Sequence, residues 1–248
     1  MDAFVKHYRE GNIGILEFGN PAGNSLPTPL LKAFKEGLIT LEKDTDVRVI
    51  VLKSSGDRAF CGGASLEEMK TLSTLEEATA FFMGIADVIN TLRSVSKFVV
   101  GRVQGKVVGG GVGLVAACDY VLASSQAHIK LSELSIGIGP YVIEPAVSRK
   151  IGSTAFAKLS LDAHQWKTAQ WSENKGLYHA VFETKQELDN AVQTHAERLA
   201  NYPKKAVKNL RKLHWKDTDH WETLLPKNAA ITGSLALEYA TQNILKNL

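Results

Sequence analysis

The stretch Gly105-Lys-Val-Val-Gly-Gly-Gly-Val-Gly-Leu-Val-Ala-Ala-Cys-Asp119 narrows the possible folds more than any other part of this chain. An apolar, β-branched run (Phe98, Val99, Val100, Val103) precedes it and reads as a buried strand. The triplet Gly109 to Gly111 then leaves the backbone bare before a short helical pattern over Leu114 to Cys118. A strand, a bare turn and a helix start together offer unblocked N–H groups at the positive end of a helix dipole. Such a junction holds negative charge, as a phosphate or as the oxyanion that develops on a carbonyl. It equally suits a turn whose glycines let a helix pack closely on a sheet, and both readings stay open at this point.

The rest of the chain supplies more strand–helix alternation. Val5 to Phe18 reads as a hairpin about Glu10-Gly11-Asn12, and residues 20–25 as a loop. Thr28 and Pro29 are an N-cap and first helical residue, ahead of Leu30, Leu31, Phe34, Leu38 and Leu41 on one helical face. Val47 to Leu52 is a near-continuous apolar strand suited to the middle of a parallel sheet. Gly62-Gly63-Ala64 forms a second bare junction, where Ser65 and Glu68 have capping-box spacing. Leu75, Ala78, Phe82, Ile85, Ile89 and Leu92 step by three and four residues along an amphipathic helix. Tyr120–Ala123 and Ile129–Leu131 are further strands. This order predicts an α/β fold with right-handed crossovers.

From Tyr141 onward helical patterns dominate: Val142–Ile151, Thr154–Leu161, Gln165–Asn174, Gln186–Asn201, Lys204–His214 and Trp221–Leu245, with one strand at Tyr178–Phe182. The expected organisation is a core over residues 1–182 and a helical region over 183–248.

Composition excludes several classes. Among 248 residues, 44% are hydrophobic and 22% charged, and the net charge of +3 is too small to argue for nucleic acid. No run of 18 apolar residues exists, so no membrane partner is expected. Cys61 and Cys118 lie in apolar surroundings without ligand spacing, which predicts no metal site and a reducing compartment. The first residues carry no leader pattern, and the expected location is cytoplasmic. Neither glycine junction is followed by a Walker lysine or built as GxGxxG, which argues against nucleoside triphosphates and dinucleotides. The two junctions, near Ala64 and Gly110, could instead converge on one anion.

Three segments in order carry a resemblance. Phe60-Cys-Gly-Gly-Ala-Ser-Leu-Glu-Glu-Met69, Gly105 to Asp119, and Lys130-Leu-Ser-Glu-Leu-Ser-Ile-Gly-Ile-Gly-Pro140 resemble the crotonase (enoyl-CoA hydratase/isomerase) superfamily. The likeness covers roughly residues 5 to 182. It implies a ClpP-like ββα spiral core, with the helical C-terminal region used in trimerisation, as a homotrimer or a dimer of trimers. It implies an acyl-CoA substrate and no separate cofactor, CoA being part of the substrate. By the same likeness the N–H groups of Ala64 and Gly110 form an oxyanion hole, Gly63 and Gly109 border the substrate, and Glu133 transfers the proton. Burial among Leu131, Leu134 and Ile136 would lift the Glu133 pKa towards neutrality.

Departures from the family pattern bear on the reaction. Hydratases of the family carry a second glutamate two residues after the triplet, where this chain has Gly113. A single carboxylate suits double-bond isomerisation, which is the leading expectation. Tyr141 and Glu144 are three apart and could share a helix side beside the pocket. Glu144 would then stand in for the missing carboxylate and permit hydration, and Tyr141 would donate a hydrogen bond as in the family's decarboxylases. Alternatively both are packing or surface residues. Thioesterase activity, or a silent acyl-CoA-binding subunit, are further alternatives. His128 and Cys61 are weak catalytic candidates, and Cys118 reads as core. The basic run Lys204, Lys205, Lys208, Arg211 and Lys212 reads as a solvated helix face, or as a contact for CoA phosphates.

Overall fold

In the computed structural model, which describes residues 2–247, the chain runs β1 (Phe4–Glu10), β2 (Ile13–Gly19), α1 (Thr28–Lys43), β3 (Val49–Ser54), β4 (Ala59–Cys61), α2 (Leu66–Met69) and α3 (Leu75–Ser94). There follow β5 (Phe98–Val103), β6 (Lys106–Val108), α4 (Gly110–Ala116), β7 (Tyr120–Ser124), β8 (Ile129–Lys130) and a 3₁₀ turn over Glu133–Ile136. The remainder is α5 (Glu144–Ile151), α6 (Ser153–Leu161), α7 (Ala169–Asn174), β9 (Ala180–Phe182), α8 (Lys185–Ala200), α9 (Lys204–His214), α10 (Trp221–Ala236) and α11 (Tyr239–Lys246).

Two sheets organise these elements. The larger has the order β1-β2-β3-β5-β7-β9, and the smaller β4-β6-β8. Apart from the β1–β2 hairpin, every pairing is parallel. Parallel strands need cover on both faces, which explains the apolar runs Val49–Leu52 of β3 and Phe98–Val100 of β5. Alternate residues divide between the faces. Ile50, Leu52, Val99 and Val103 join the main core with α1, α3 and α4. Val49, Val51, Phe98 and Val100 meet Leu188, Val192 and Ala196 of α8 on the other side. No described helix is long and apolar enough to cross a membrane.

The C-terminal helices return to this body. Gly233 of α10 passes so near α3 that a Cβ there would stand 3.0 Å from the Thr79 nitrogen, a close approach that requires glycine. Arg93 of α3 also pairs with Asp219 and Glu222 at 3.2 and 2.9 Å.

Several boundaries differ from the sequence expectation for identifiable reasons. Thr28 is the first helical residue after Pro27, not a cap, and its N–H and hydroxyl bond the Glu68 carboxylate. Ser65 does cap, accepting from Glu68 N at 3.2 Å, but with Glu68 turned to Thr28 the reciprocal half of the box is not made. The glycine triplet lies at the start of α4, which opens at Gly110 and not Leu114. The helix expected over Gln165–Asn174 begins only at Ala169, because Lys167 pairs with Ile129 and Thr168 caps. The pattern over Trp221–Leu245 divides into two helices after Ala236. The basic run is not uniformly solvated: Arg211 is 2% exposed. Its guanidinium holds Asp119 and donates to the carbonyls of Leu92, Arg93 and Val95.

Candidate active site

Strands β4 and β6 of the small sheet end side by side and deliver the two glycine junctions to one place. Gly63 has φ +87°, and a Cβ on it would meet the Val108 carbonyl at 3.0 Å and the Gly110 nitrogen at 3.5 Å. The Ala64 nitrogen lies 3.9 Å from where a Gly110 Cβ would stand. The N–H groups of Ala64 and Gly110 therefore adjoin, and among the described residues neither has a protein acceptor. For Gly110 the reason is general, since the first N–H groups of a helix have no partner within it. The Gly63 N–H, by contrast, is held by Cys61 Sγ at 3.4 Å, which steadies the turn.

Both junctions border a cavity of about 140 Å³. Its walls are mainly apolar and come from distant parts of the chain: Leu26, Met69, Phe81, Phe82, Ile85 and Ile143 among them. Thr232 of α10 joins the lining, so the last third of the chain reaches the site. No Lys or Arg lines it, and Glu133 is its one carboxylate among the described residues.

Glu133 opens the 3₁₀ turn that follows β8. Its Oε1 sits 3.0 Å from where a Cβ of Gly109 would be, at a residue whose φ is +54°. Position 109 thus needs glycine twice over, for its backbone angle and for the carboxylate lying against it. Oε2 is buried without a hydrogen-bond partner. Burial in apolar surroundings, partly offset by a backbone N–H, lifts the Glu133 pKa from 4.5 to about 7. A carboxylate so poised can both accept and return a proton near neutral pH. Free amides beside it can hold charge developing on a carbonyl oxygen.

Other sequence candidates lie elsewhere. Tyr141 and Glu144 line a separate groove with Leu134, Phe156, Ser160 and Leu161, not the cavity that holds Glu133. Gly139 and Pro140 belong to both linings, and the Tyr141 ring packs on Gly139. His128 is not part of the cavity lining. The thiols of Cys61 and Cys118 are buried, and desolvation pushes each up to about 12, against a nucleophilic role. Among the described residues no group of three or more His, Cys, Asp or Glu side chains is placed to hold a metal ion.

Sequence reading missed Ile143. A Cβ placed on Gly113 would strike Ile143 Cγ2, stand 2.7 Å from its Cβ and 3.2 Å from Ile89 Cδ1. The space beside Gly113 is therefore filled by a residue 30 positions later. No local pattern signals that pairing, since it arises where α4 meets the start of α5.

Known proteins share this architecture. The enoyl-CoA hydratase of Bacillus halodurans superposes with a TM-score of 0.92, covering 98% of this chain and 99% of that one at 19% identity. The enoyl-CoA hydratase of Mycobacterium smegmatis gives 0.81 at 25% identity, over 91% and 89% of the two chains. These likenesses define the class, an α/β crotonase spiral with a helical C-terminal region. The family model described as enoyl-CoA hydratase/isomerase matches residues 8–242, and the chain belongs to that family of enzymes.

Individual relatives differ in reaction. A short-chain-enoyl-CoA hydratase of Clostridium acetobutylicum is 29% identical over 79% of this chain and 75% of its own length. A mitochondrial methylglutaconyl-CoA hydratase of Rattus norvegicus is 33% identical over 75% of this chain and 60% of its own length. A peroxisomal Delta(3,5)-Delta(2,4)-dienoyl-CoA isomerase of Arabidopsis thaliana is 28% identical over 70% and 66%.

Proposed function

We propose that this enzyme moves a carbon–carbon double bond within an acyl-CoA thioester, converting a 3-enoyl-CoA to the conjugated 2-enoyl-CoA with Glu133 as the only acid–base group. The observation that carries the reading is a single carboxylate, its Oε2 unpartnered, in a mainly apolar cavity beside two free N–H groups. Ionised Glu133 takes a proton from C2, and the electron pair of that C–H bond moves into a C1–C2 bond. The thioester oxygen gains the charge and is held by the N–H groups of Ala64 and Gly110. As the enolate collapses, C2=C3 forms, the old C3=C4 pair takes the proton from Glu133 at C4, and the carboxylate is regenerated. No net atom is gained or lost.

Two features of the wall support this reading and its substrate class. A hydration route needs one group to activate water and one to protonate carbon, and no second carboxylate lines the cavity. With no Lys or Arg there, an acyl chain bearing its own carboxylate would bury an unpaired charge. We accordingly infer an uncharged, apolar acyl chain. CoA is part of the substrate, with no further cofactor proposed.

A homotrimer is the assembly implied by the family resemblance. It is supported by exposed apolar side chains such as Leu161 and Tyr239, at 73% and 85%, and sedimentation velocity tests it.

The names of two relatives favour hydration as the second reading, with Glu144 supplying the other carboxylate. That role requires Glu144 to leave its own groove for the cavity. Deuterium exchange at C2 and C4 of a 3-enoyl-CoA and of crotonyl-CoA, followed by mass spectrometry, separates the two. Deuterium uptake with bond migration, lost in Glu133→Gln and without gain of water, is the expected result. A mass gain of one water from crotonyl-CoA, with no migration from the 3-enoyl-CoA, would overturn the isomerase reading.

A further inference from the structure

We infer that Ile143 is the residue that sets reaction specificity in this cavity, by filling the volume that a second carboxylate and its water would need. This rests on the isomerase reading above and extends it to a residue outside the catalytic machinery. Ile143 lines the same cavity as Glu133, Ala64 and Gly110, and it is 3% exposed. Its Cβ and Cγ2 occupy the direction in which any side chain on Gly113 would leave α4, and Ile89 closes the same space from α3.

The consequence is a dry floor. A buried water needs two to four polar partners. Ile143 and Ile89 offer none where they fill the space beside Gly113, and Glu133 is the one carboxylate in the cavity lining among the described residues. Glycine at 113 is thus matched to isoleucine at 143 as a packed pair, in which the bulk lies on α5 and not on α4. Reversing the pair conserves volume approximately, which cores tolerate better than a one-sided change. The backbone permits it, because Ile143 precedes the first turn of α5 at φ −92° and ψ −12°, where glycine is accepted.

The inference predicts a designed gain of hydration. With Gly113→Glu and Ile143→Gly combined, the introduced carboxylate takes a proton from water as the water oxygen bonds to C3. Glu133 delivers its proton to C2, and net addition of one water to crotonyl-CoA results.

The test compares wild type, each single variant and the pair for hydration of crotonyl-CoA, with thermal melting to establish folding. Gly113→Glu alone is expected to melt earlier and not to hydrate, because its side chain strikes Ile143. The pair is expected to hydrate at least about a hundredfold faster than wild type and either single variant, the lower end of what a positioned acid–base group contributes. Adding Glu133→Gln to the pair should abolish that gain. Gly113→Asp with Ile143→Ala is measured beside it, since that pair asks less of the packing. A folded pair of either kind that hydrates no better than wild type overturns the inference, as does Gly113→Glu alone hydrating as fast as the pair. Wild type and Glu133→Gln are assayed for isomerisation in the same series. Loss of the isomerase reading would appear there, whatever the paired variants do.

Discussion

Two carboxylates, Asp119 and Glu133, stand 14 residues apart in the chain and have opposite surroundings. Every side of Asp119 is answered. Arg211 Nε donates to it at 2.8 Å, Trp215 Nε1 at 2.7 Å and the Val99 N–H at 2.8 Å. Those bonds tie α9 and its following turn to the main sheet, and Lys150 adds a bond to the Asp119 carbonyl at 3.1 Å. Glu133 sits in an apolar wall with Oε2 unanswered, and its proton affinity rises to about 7 in consequence. Burial with partners makes a clamp, whereas burial without them makes an acid that gives and takes protons near neutrality.

Substitution should separate the two most sharply. Glu133→Gln is expected to lower isomerisation by about 10² to 10⁴-fold, the usual contribution of a positioned acid–base group, while the protein stays folded. Steady-state turnover of a 3-enoyl-CoA measures it. A retained rate would place the proton transfer elsewhere. Asp119→Ala should do the reverse. It leaves Arg211 and the Trp215 N–H without their acceptor in the interior, which costs on the order of 3–5 kcal/mol, read as a lower denaturation midpoint. Activity per folded molecule should change little.

The contrast extends to pH. The Glu133 pKa is raised on folding, so the folded state binds more protons than the unfolded between 4.5 and about 7. Stability from this group is complete below 4.5 and is lost as pH rises through about 7; the gap corresponds to roughly 3 kcal/mol. Activity should run the other way, rising through the same window as the base ionises. Denaturant titrations from pH 5 to 8 on wild type and Glu133→Gln test the sign. The variant should lack this decline, and an identical decline in both would assign it to other groups.

Gly109→Ala tests the geometry that holds the carboxylate. The positive φ and the new Cβ against Oε1 should together cost about 1–3 kcal/mol and shift the pH profile, because the carboxylate must move. An unmoved profile would show that Glu133 does not depend on that contact. The smallest effect is expected from Glu144→Gln, in its separate groove: stability within about 0.5 kcal/mol and turnover near wild type. A large loss of turnover would revive its role as a second carboxylate.

Much of the fold was legible before any coordinates. β3 and β5 open on apolar runs because both of their faces are covered, and α3 announces itself by its spacing. The three segments that carry the site were legible as well, through their glycines and through Glu133. Less legible was everything that depends on a partner far along the chain. Arg211 reads as one more cation in a basic run, yet it is buried because Asp119, just before β7, and three carbonyls at the end of α3 await it. Tyr141 and Glu144 have the spacing to share a helix side, but spacing is silent on which cavity that side faces. Leu134, expected to help bury Glu133, is 55% exposed; the covering comes instead from Gly109 and the cavity wall.

The sequence by itself determined the order of strands and helices, the glycines that bring two free N–H groups together, and one carboxylate in the third segment. These follow from backbone freedom, hydrophobic period and residue type, which are local properties. The tertiary structure alone decided that Ile143 fills the space beside Gly113, that Thr232 of α10 reaches the cavity, and that Glu133 Oε2 has no partner while the Asp119 carboxylate has three. Packing and desolvation depend on which distant surfaces meet, and no single segment of the chain carries that information.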